Sequence, residues 1–176
     1  TQTDRIVTFV DFAPTVLSLA GIKIPAYFQG RAFMGNQQVN ERSYGFSFRG
    51  RMDERIDLVR SARDKRYRYV RNYYPNKIYA QYIEYLWNAP SMKSWDSAYR
   101  TGTLNELQSR FFKTKPAEEL YDCQKDPDNI NNLAGNKEYN EVLLRMRKDN
   151  QKWIVDSKDA GFIPEARKER LSKTTT

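Results

Sequence analysis

The feature that most constrains this chain is a pair of alternating segments joined by a short polar link. Ile56, Leu58 and Arg60 alternate with Asp57, Val59 and Ser61, and Tyr67, Tyr69 and Arg71 alternate with Arg68 and Val70. A period of two places successive side chains on opposite faces of a strand. The link Arg63-Asp64-Lys65-Arg66 is short and charged, which suits a hairpin. The two segments therefore predict adjacent antiparallel strands. Tyr44, Phe46 and Phe48 repeat the alternation upstream, and Glu118–Asp122 gives a fourth strand.

Around these strands the period changes to that of a helix. Tyr139, Val142, Leu143, Met146, Asn150 and Trp153 follow helical spacing, so one long amphipathic helix is expected over 137–156. Between 78 and 112 the pattern is helical in short pieces, with Tyr82, Tyr85 and Leu86 on one face and Leu104, Leu107 and Phe111 on another. Pro90 and Gly102 punctuate that stretch. Near the start, Phe9, Val10, Phe12, Ala13, Val16, Leu17, Leu19 and Ala20 point almost all round a helix over 6–21. Asp11 is placed to cap it, Pro14 is tolerated in its first turn, and Gly21 is placed to end it. A helix that is apolar all round needs cover on several sides. Strands grouped with separate helices predict an α+β layer: a four-stranded antiparallel sheet packed against a long C-terminal helix.

Composition bounds the chemistry. The 176 residues suit one domain, or one domain with a remnant of another. Aromatics at 14% argue against disorder although 30% of residues are charged. The net charge of +8 fits anionic partners or a solvated basic surface, and favours the second over nucleic acid. The absence of histidine excludes Ser-His-Asp and Cys-His catalysis within this chain. The single cysteine, Cys123, forms no internal disulfide and fits a small buried hydrophobe. No apolar run approaches the length of a membrane span. Asp126, Asp128, Asn131 and Asn132 have the residue types of a cation loop, but turn and cap chemistry explains them more economically. Tyr67, Tyr69, Tyr73 and Tyr74 among arginines suit base stacking, but cross-strand packing is the simpler reading.

Three motifs in order carry a resemblance. The first is Val10-Asp11-Phe12-Ala13-Pro14-Thr15-Val16-Leu17-Ser18-Leu19-Ala20-Gly21-Ile22, continuing through Pro25 to Gln29-Gly30-Arg31-Ala32. The second runs from Val59 through Arg63-Asp64-Lys65-Arg66-Tyr67-Arg68-Tyr69 to Asn72. The third is Glu118-Glu119-Leu120-Tyr121-Asp122, then Asp126-Pro127 and Asn131-Asn132-Leu133-Ala134. Together they resemble the C-terminal region of sulfatases in the alkaline phosphatase superfamily, nearest the arylsulfatase-A-like and heparan N-sulfatase-like branches.

The resemblance implies an organisation. Residues 1–34 are expected to be the tail end of a large catalytic α/β domain, residues 35–166 the C-terminal subdomain, and residues 167–176 a loose polar tail. It also implies what lies elsewhere. The family's nucleophile, a formylglycine made in a C/S-x-P-x-R motif, and its metal ligands fall upstream of Pro14-Thr15, so neither catalytic nor metal-binding residues are expected in this chain. Alone it is expected to be inactive and to hold no cofactor; calcium is expected in the intact parent. The implied partners are the catalytic domain and a sulfated carbohydrate, with no nucleic acid, and self-association through exposed apolar surface is expected. The implied location is extracytoplasmic: periplasmic, secreted or lysosomal. The segment Arg49 to Arg55 reads as a loop between strands; Arg49, Arg51, Asp53, Glu54 and Arg55 are candidate substrate contacts there, against the reading of a solvated hairpin loop. The implied activity is hydrolysis of carbohydrate sulfate esters or N-sulfates. A related phosphonate or phosphodiester hydrolase and a free-standing basic polyanion-binding module are the alternatives.

Overall fold

The computed structural model describes residues 3–173, with side chains at all of these except 52 and 171–173. A 3-10 turn at Phe9–Asp11 leads into α1 (Phe12–Leu19). Strands β1 (Gly45–Met52), β2 (Arg55–Arg63) and β3 (Tyr67–Asn72) follow. An excursion over 73–117 carries α2 (Glu84–Trp87), α3 (Pro90–Arg100) and α4 (Glu106–Ser109). The chain then returns as β4 (Glu118–Asp122), α5 (Asn140–Asp156) and α6 (Glu165–Lys173). The strands form one antiparallel sheet in the order β1-β2-β3-β4. The α+β architecture expected from the alternation is the one observed.

Register explains the core. Phe46 pairs with Ala62, Ala62 with Tyr69, and Tyr69 with Leu120, so these four residues line one face across all four strands. The α5 helix lies on that face and brings Leu143 and Met146 against Ala62, Tyr69 and Leu120. Phe46 stacks parallel on Trp153 with ring centroids 5.0 Å apart. The stripe read from the sequence thus docks as its spacing demands, with Ile154 as a further buried member. The connection from α5 to α6 is pinned by Arg60, buried on this same face and bidentate to Asp159, with Nη2 3.0 Å from Oδ1. The guanidinium sits over the rings of Phe48 and Phe162. A Cβ at Gly161 would lie 2.0 Å from Arg60 Nη2, so only glycine fits there.

The structure corrects the sequence reading in five places. Strand β1 does not stop at Phe48 but continues to Met52, with a register shift between Arg49 and Arg51. That bulge breaks the period of two and hides the strand. Arg49, Arg51 and Arg55 are therefore strand residues, and only Asp53 and Glu54 make the turn, Asp53 with φ 46°. The stretch read as a loose tail is helical over Glu165–Lys173, while 174–176 lie outside the described residues. Cys123 is half-buried rather than enclosed, with Sγ 3.9 Å from Asn129 Oδ1.

The remaining two corrections concern α1. It is shorter than 6–21, although its apolar side is uncovered among the described residues, as the expected exposed apolar surface requires: Phe9 is 89% exposed, Val16 62% and Leu19 58%. Its inward side is polar, because the loop over 30–39 presents backbone N–H groups that need acceptors. Thr15 Oγ1 accepts from Phe33 N at 3.1 Å and Ser18 Oγ from Gln37 N at 2.9 Å. Asp11, read as a simple helix cap, is a buried acceptor hub. Its Oδ2 accepts from Thr8 N at 2.9 Å and its Oδ1 from Arg31 N at 2.7 Å, while Arg42 grips both oxygens, Nε at 3.1 Å and Nη2 at 2.5 Å. Burial opposes the charge, but these donors outweigh it and pull the carboxyl down to about 2.

Turn chemistry explains the acidic segment after β4. Asp126 accepts from Ile130 N at 3.0 Å and from Asn131 N at 2.7 Å, and Asn132 Oδ1 accepts from Leu120 N and Ala134 N, each at 3.0 Å.

Candidate functional site

The sheet face away from α5 is polar. Alternation sends Asp57, Val59 and Ser61 of β2 to it, together with Val70 and Asn72 of β3 and Glu119 and Tyr121 of β4. The excursion over 73–117 arches over this face, held by its own cluster of Ala80, Met92 and Phe112. Its two ends meet where Asn72 N donates to Ala117 O at 3.0 Å. Between arch and sheet lies a cleft of 530 Å³.

Two buried carboxylates sit in its floor, and both are satisfied. Glu119 accepts from Asn72 Nδ2 at 2.6 Å and Tyr79 OH at 2.9 Å on one oxygen, and from Tyr121 OH at 2.6 Å on the other. Burial, and then the Glu119 charge, push both phenols well above their ordinary range, so they stay protonated donors. Asp57 Oδ2 accepts from Lys115 Nζ at 2.5 Å, and both side chains are almost wholly enclosed. Asp57 Oδ1 takes Leu58 N at 2.9 Å. A buried pair with its remaining lone pairs occupied holds the excursion in one place against the sheet. Neither carboxylate has the free geometry of a general base.

The rim is cationic and aromatic. The Arg68 side chain, exposed on β3, makes no hydrogen bond or ion pair among the described residues. Among the described residues the Arg110 guanidinium gives only Nη2, to Ile130 O at 2.6 Å. Arg49 Nε stands 3.6 Å from Asp57 Oδ2, its side chain 44% exposed. On the arch, Trp95 stacks on Phe111 with centroids 4.8 Å apart and donates Nε1 to Gln108 O at 3.2 Å. Among the described residues no group of three or more Cys, Asp or Glu is placed to hold a metal ion.

The five residues singled out in the sequence are not brought together. Arg49 alone lines the cleft. Arg51 forks onto Glu165 of α6, with Nε 2.6 Å from Oε1, and their mutual bonds raise the guanidinium and lower the carboxyl. Asp53 occupies the turn. Glu54 Oε1 accepts from Glu84 N at 3.0 Å, and Arg55 Nε donates to Tyr82 O at 2.7 Å. The hairpin tip is thus tied to α6 and to the start of α2. Sequence reasoning missed Asp57, Arg68, Arg110, Lys115 and Glu119. The available signal was charge at alternate strand positions: Asp57 and Glu119 stand where a two-sided core would place apolar residues.

No protein-family model matches the chain. An ulvan-active sulfatase of Formosa agariphila is 41% identical over 167 residues, covering 94% of this chain and 28% of that protein. A second ulvan-active sulfatase of the same organism is 28% identical over 203 residues, covering 97% of this chain and 38% of its own length. The chain therefore spans about a third of these relatives. Among solved structures, a putative sulfatase from Bacteroides thetaiotaomicron aligns with a TM-score of 0.56 at 25% identity, over 85% of this chain and 25% of that one. A 2-O GAG sulfatase aligns with a TM-score of 0.60 at 24% identity, over 91% and 27%. A third structure, solved in complex with D-glucosamine-2-N,6-O-disulfate, aligns at 0.54 with 16% identity, over 88% and 25%. At those identities the last two matches bear on the fold alone.

Proposed function

From the premise that this chain is a C-terminal sulfatase region in sequence and fold, we propose that it braces the catalytic part of a carbohydrate sulfatase and borders its substrate. The observation that carries the reading is the uncovered apolar side of the first helix, where Phe9, Val10, Phe12, Val16, Leu19 and Ile22 are exposed together. An apolar surface of this kind seeks a partner. The partner we assign is the remainder of the same enzyme, since the chain spans only 28% of its 41%-identical relative. On this reading residues 1–34 belong to the edge of the catalytic α/β domain and 35–166 form the subdomain.

The substrate we assign is a sulfate ester or N-sulfate of a carbohydrate. The support is that both curated relatives are described as ulvan-active. We place the hairpin tip, with Arg49, Arg51, Asp53, Glu54 and Arg55, beside the sugar. Guanidinium forks match carboxylate and sulfate oxygens, and carboxylates accept from hydroxyls. Calcium in the parent would be held outside this chain, because the enclosed carboxylates Asp11, Asp57, Glu119 and Asp122 are already filled by Arg42, Lys115, neutral donors and Arg66. The parent's location is taken to be extracytoplasmic.

The test is sulfate release by the full-length protein from a sulfated oligosaccharide, an aryl sulfate and a phosphodiester. Release from both sulfates, and none by the 176-residue chain alone, is expected. Arg51→Ala and Glu54→Ala in the full-length enzyme should lower kcat/KM on the oligosaccharide roughly tenfold, with the aryl sulfate nearly unaffected. Preferential turnover of the phosphodiester would overturn the assignment. Equal losses on both sulfates would reduce the hairpin to a folding element.

A further inference from the structure

We propose that the cleft between the sheet and the arch binds a single saccharide unit bearing one oxyanion, a carboxylate or a sulfate, with Arg68 and Arg110 as its anion clamp. The proposal rests on the reading of the parent as a carbohydrate sulfatase, and assigns the cleft a ligand class of its own.

The charges define the ligand. Arg49, Arg68, Arg110 and Lys115 line the cleft against Asp57, Glu119 and Asp128, so four cations face three carboxylates and one positive charge remains. That surplus matches a monoanion better than a polyanionic strand. It is also localised. Lys115 is consumed by Asp57 at 2.5 Å, and both Glu119 oxygens are occupied by donors. The unspent donors belong to the rim arginines. A guanidinium offers five N–H groups in a fixed fork, of which Arg110 gives Nη2 to a carbonyl and Arg68 gives none within the described residues.

The neutral surface defines the rest. Trp95 packs on Phe111, parallel at 4.8 Å, and against Phe112, edge-on at 5.4 Å, so the wall is rigid. Aromatic faces pack the apolar C–H face of a pyranose, and Asp128, which also lines the cleft, can accept from hydroxyls. At 530 Å³ the cleft falls within the roughly 300–1,000 Å³ of small-molecule sites. The floor network fixes the walls before a ligand arrives, which lowers the ordering cost of binding.

The experiment is calorimetric titration of the 176-residue chain with glucose 6-sulfate, glucuronic acid, glucose and inorganic sulfate. Binding of at least one anionic sugar, roughly tenfold or more tighter than glucose and sulfate alone, is expected. The two anionic sugars distinguish sulfate from carboxylate as the preferred oxyanion. Arg68→Ala and Arg110→Ala should each weaken binding about tenfold, the worth of one charge-assisted hydrogen bond. Lys148→Ala, on the exposed side of α5, should leave it unchanged. Arg68 is exposed, so an unaltered thermal midpoint is expected for its variant and confirms folding. Inorganic sulfate binding as tightly as its sugar ester, or no binding of either anionic sugar, overturns the proposal. A full-length enzyme that releases sulfate while the chain binds neither sugar overturns the cleft assignment alone. Binding by the chain with no sulfatase activity in the full-length protein overturns the enzyme reading alone.

Discussion

At the scale of single residues, the buried charges set how this protein responds to acid and to mutation. Asp11 has a folded pKa of about 2 against an ordinary 3.8. Between those values the unfolded chain binds a proton that the folded chain refuses, so stability falls as pH falls through that window and is complete above it. The gap corresponds to about 2 kcal/mol. Asp11→Asn should lose that amount near pH 7 and show a flatter decline between pH 4 and 2, measured by denaturant melts across the range. The Asp57–Lys115 pair gives a second expectation. Lys115→Ala leaves a buried carboxylate alone and should cost about 3–5 kcal/mol, whereas Lys115→Met with Asp57→Leu should recover most of it. Urea midpoints of the single and double variants decide this, and additive losses would show that the pair is not coupled. None of these roles was visible in the sequence. An aspartate ahead of an apolar run looks like a cap, and nothing local reveals that Arg42, far along the chain, will close on it.

At the scale of elements, period and register carried most of the information. The hairpin of β2 and β3, the short strand β4 and the long helix α5 stand where alternation and helical spacing place them. The strong signals share a cause, since each element buries one face against the other. Where that cause fails, so does the reading. Strand β1 runs on past Phe48 through Arg49-Gly50-Arg51, in which no apolar face is buried and a bulge resets the period. Helix α6 is dense in charge, with Glu165, Arg167, Lys168, Glu169 and Arg170, and so resembled a loose tail. The docking of α5 yields a direct test. Trp153→Ala removes the parallel stack on Phe46 and should cost about 3 kcal/mol, read from the denaturation midpoint. An unchanged midpoint would mean that α5 is held by Leu143 and Met146 without it.

At the scale of the whole molecule, the apolar outer side of α1 governs behaviour in solution. The 176-residue chain should self-associate at high concentration, and Val16→Glu with Leu19→Lys should return it to a monomer in sedimentation velocity. A wild-type chain that stays monomeric at the highest accessible concentration would deny that this side needs cover. The cleft is the feature least legible in the sequence, because its residues are drawn from all four strands, the arch and the turn after β4, and no short motif contains them. The arch also has a modular geometry. It leaves the sheet at Asn72 and rejoins it at Ala117 across a single ladder bond of 3.0 Å, so its endpoints are spaced as in a tight hairpin. Topologically it is a cassette, and a lineage could gain, lose or exchange it without reordering a strand. Chemically it is not free to go, because it carries the ammonium of Lys115 and the phenol of Tyr79 that complete Asp57 and Glu119. A chain trimmed to a plain four-stranded meander would have to turn those two acids neutral in the same step, so the length of this segment and the charge at positions 57 and 119 should change together among related proteins.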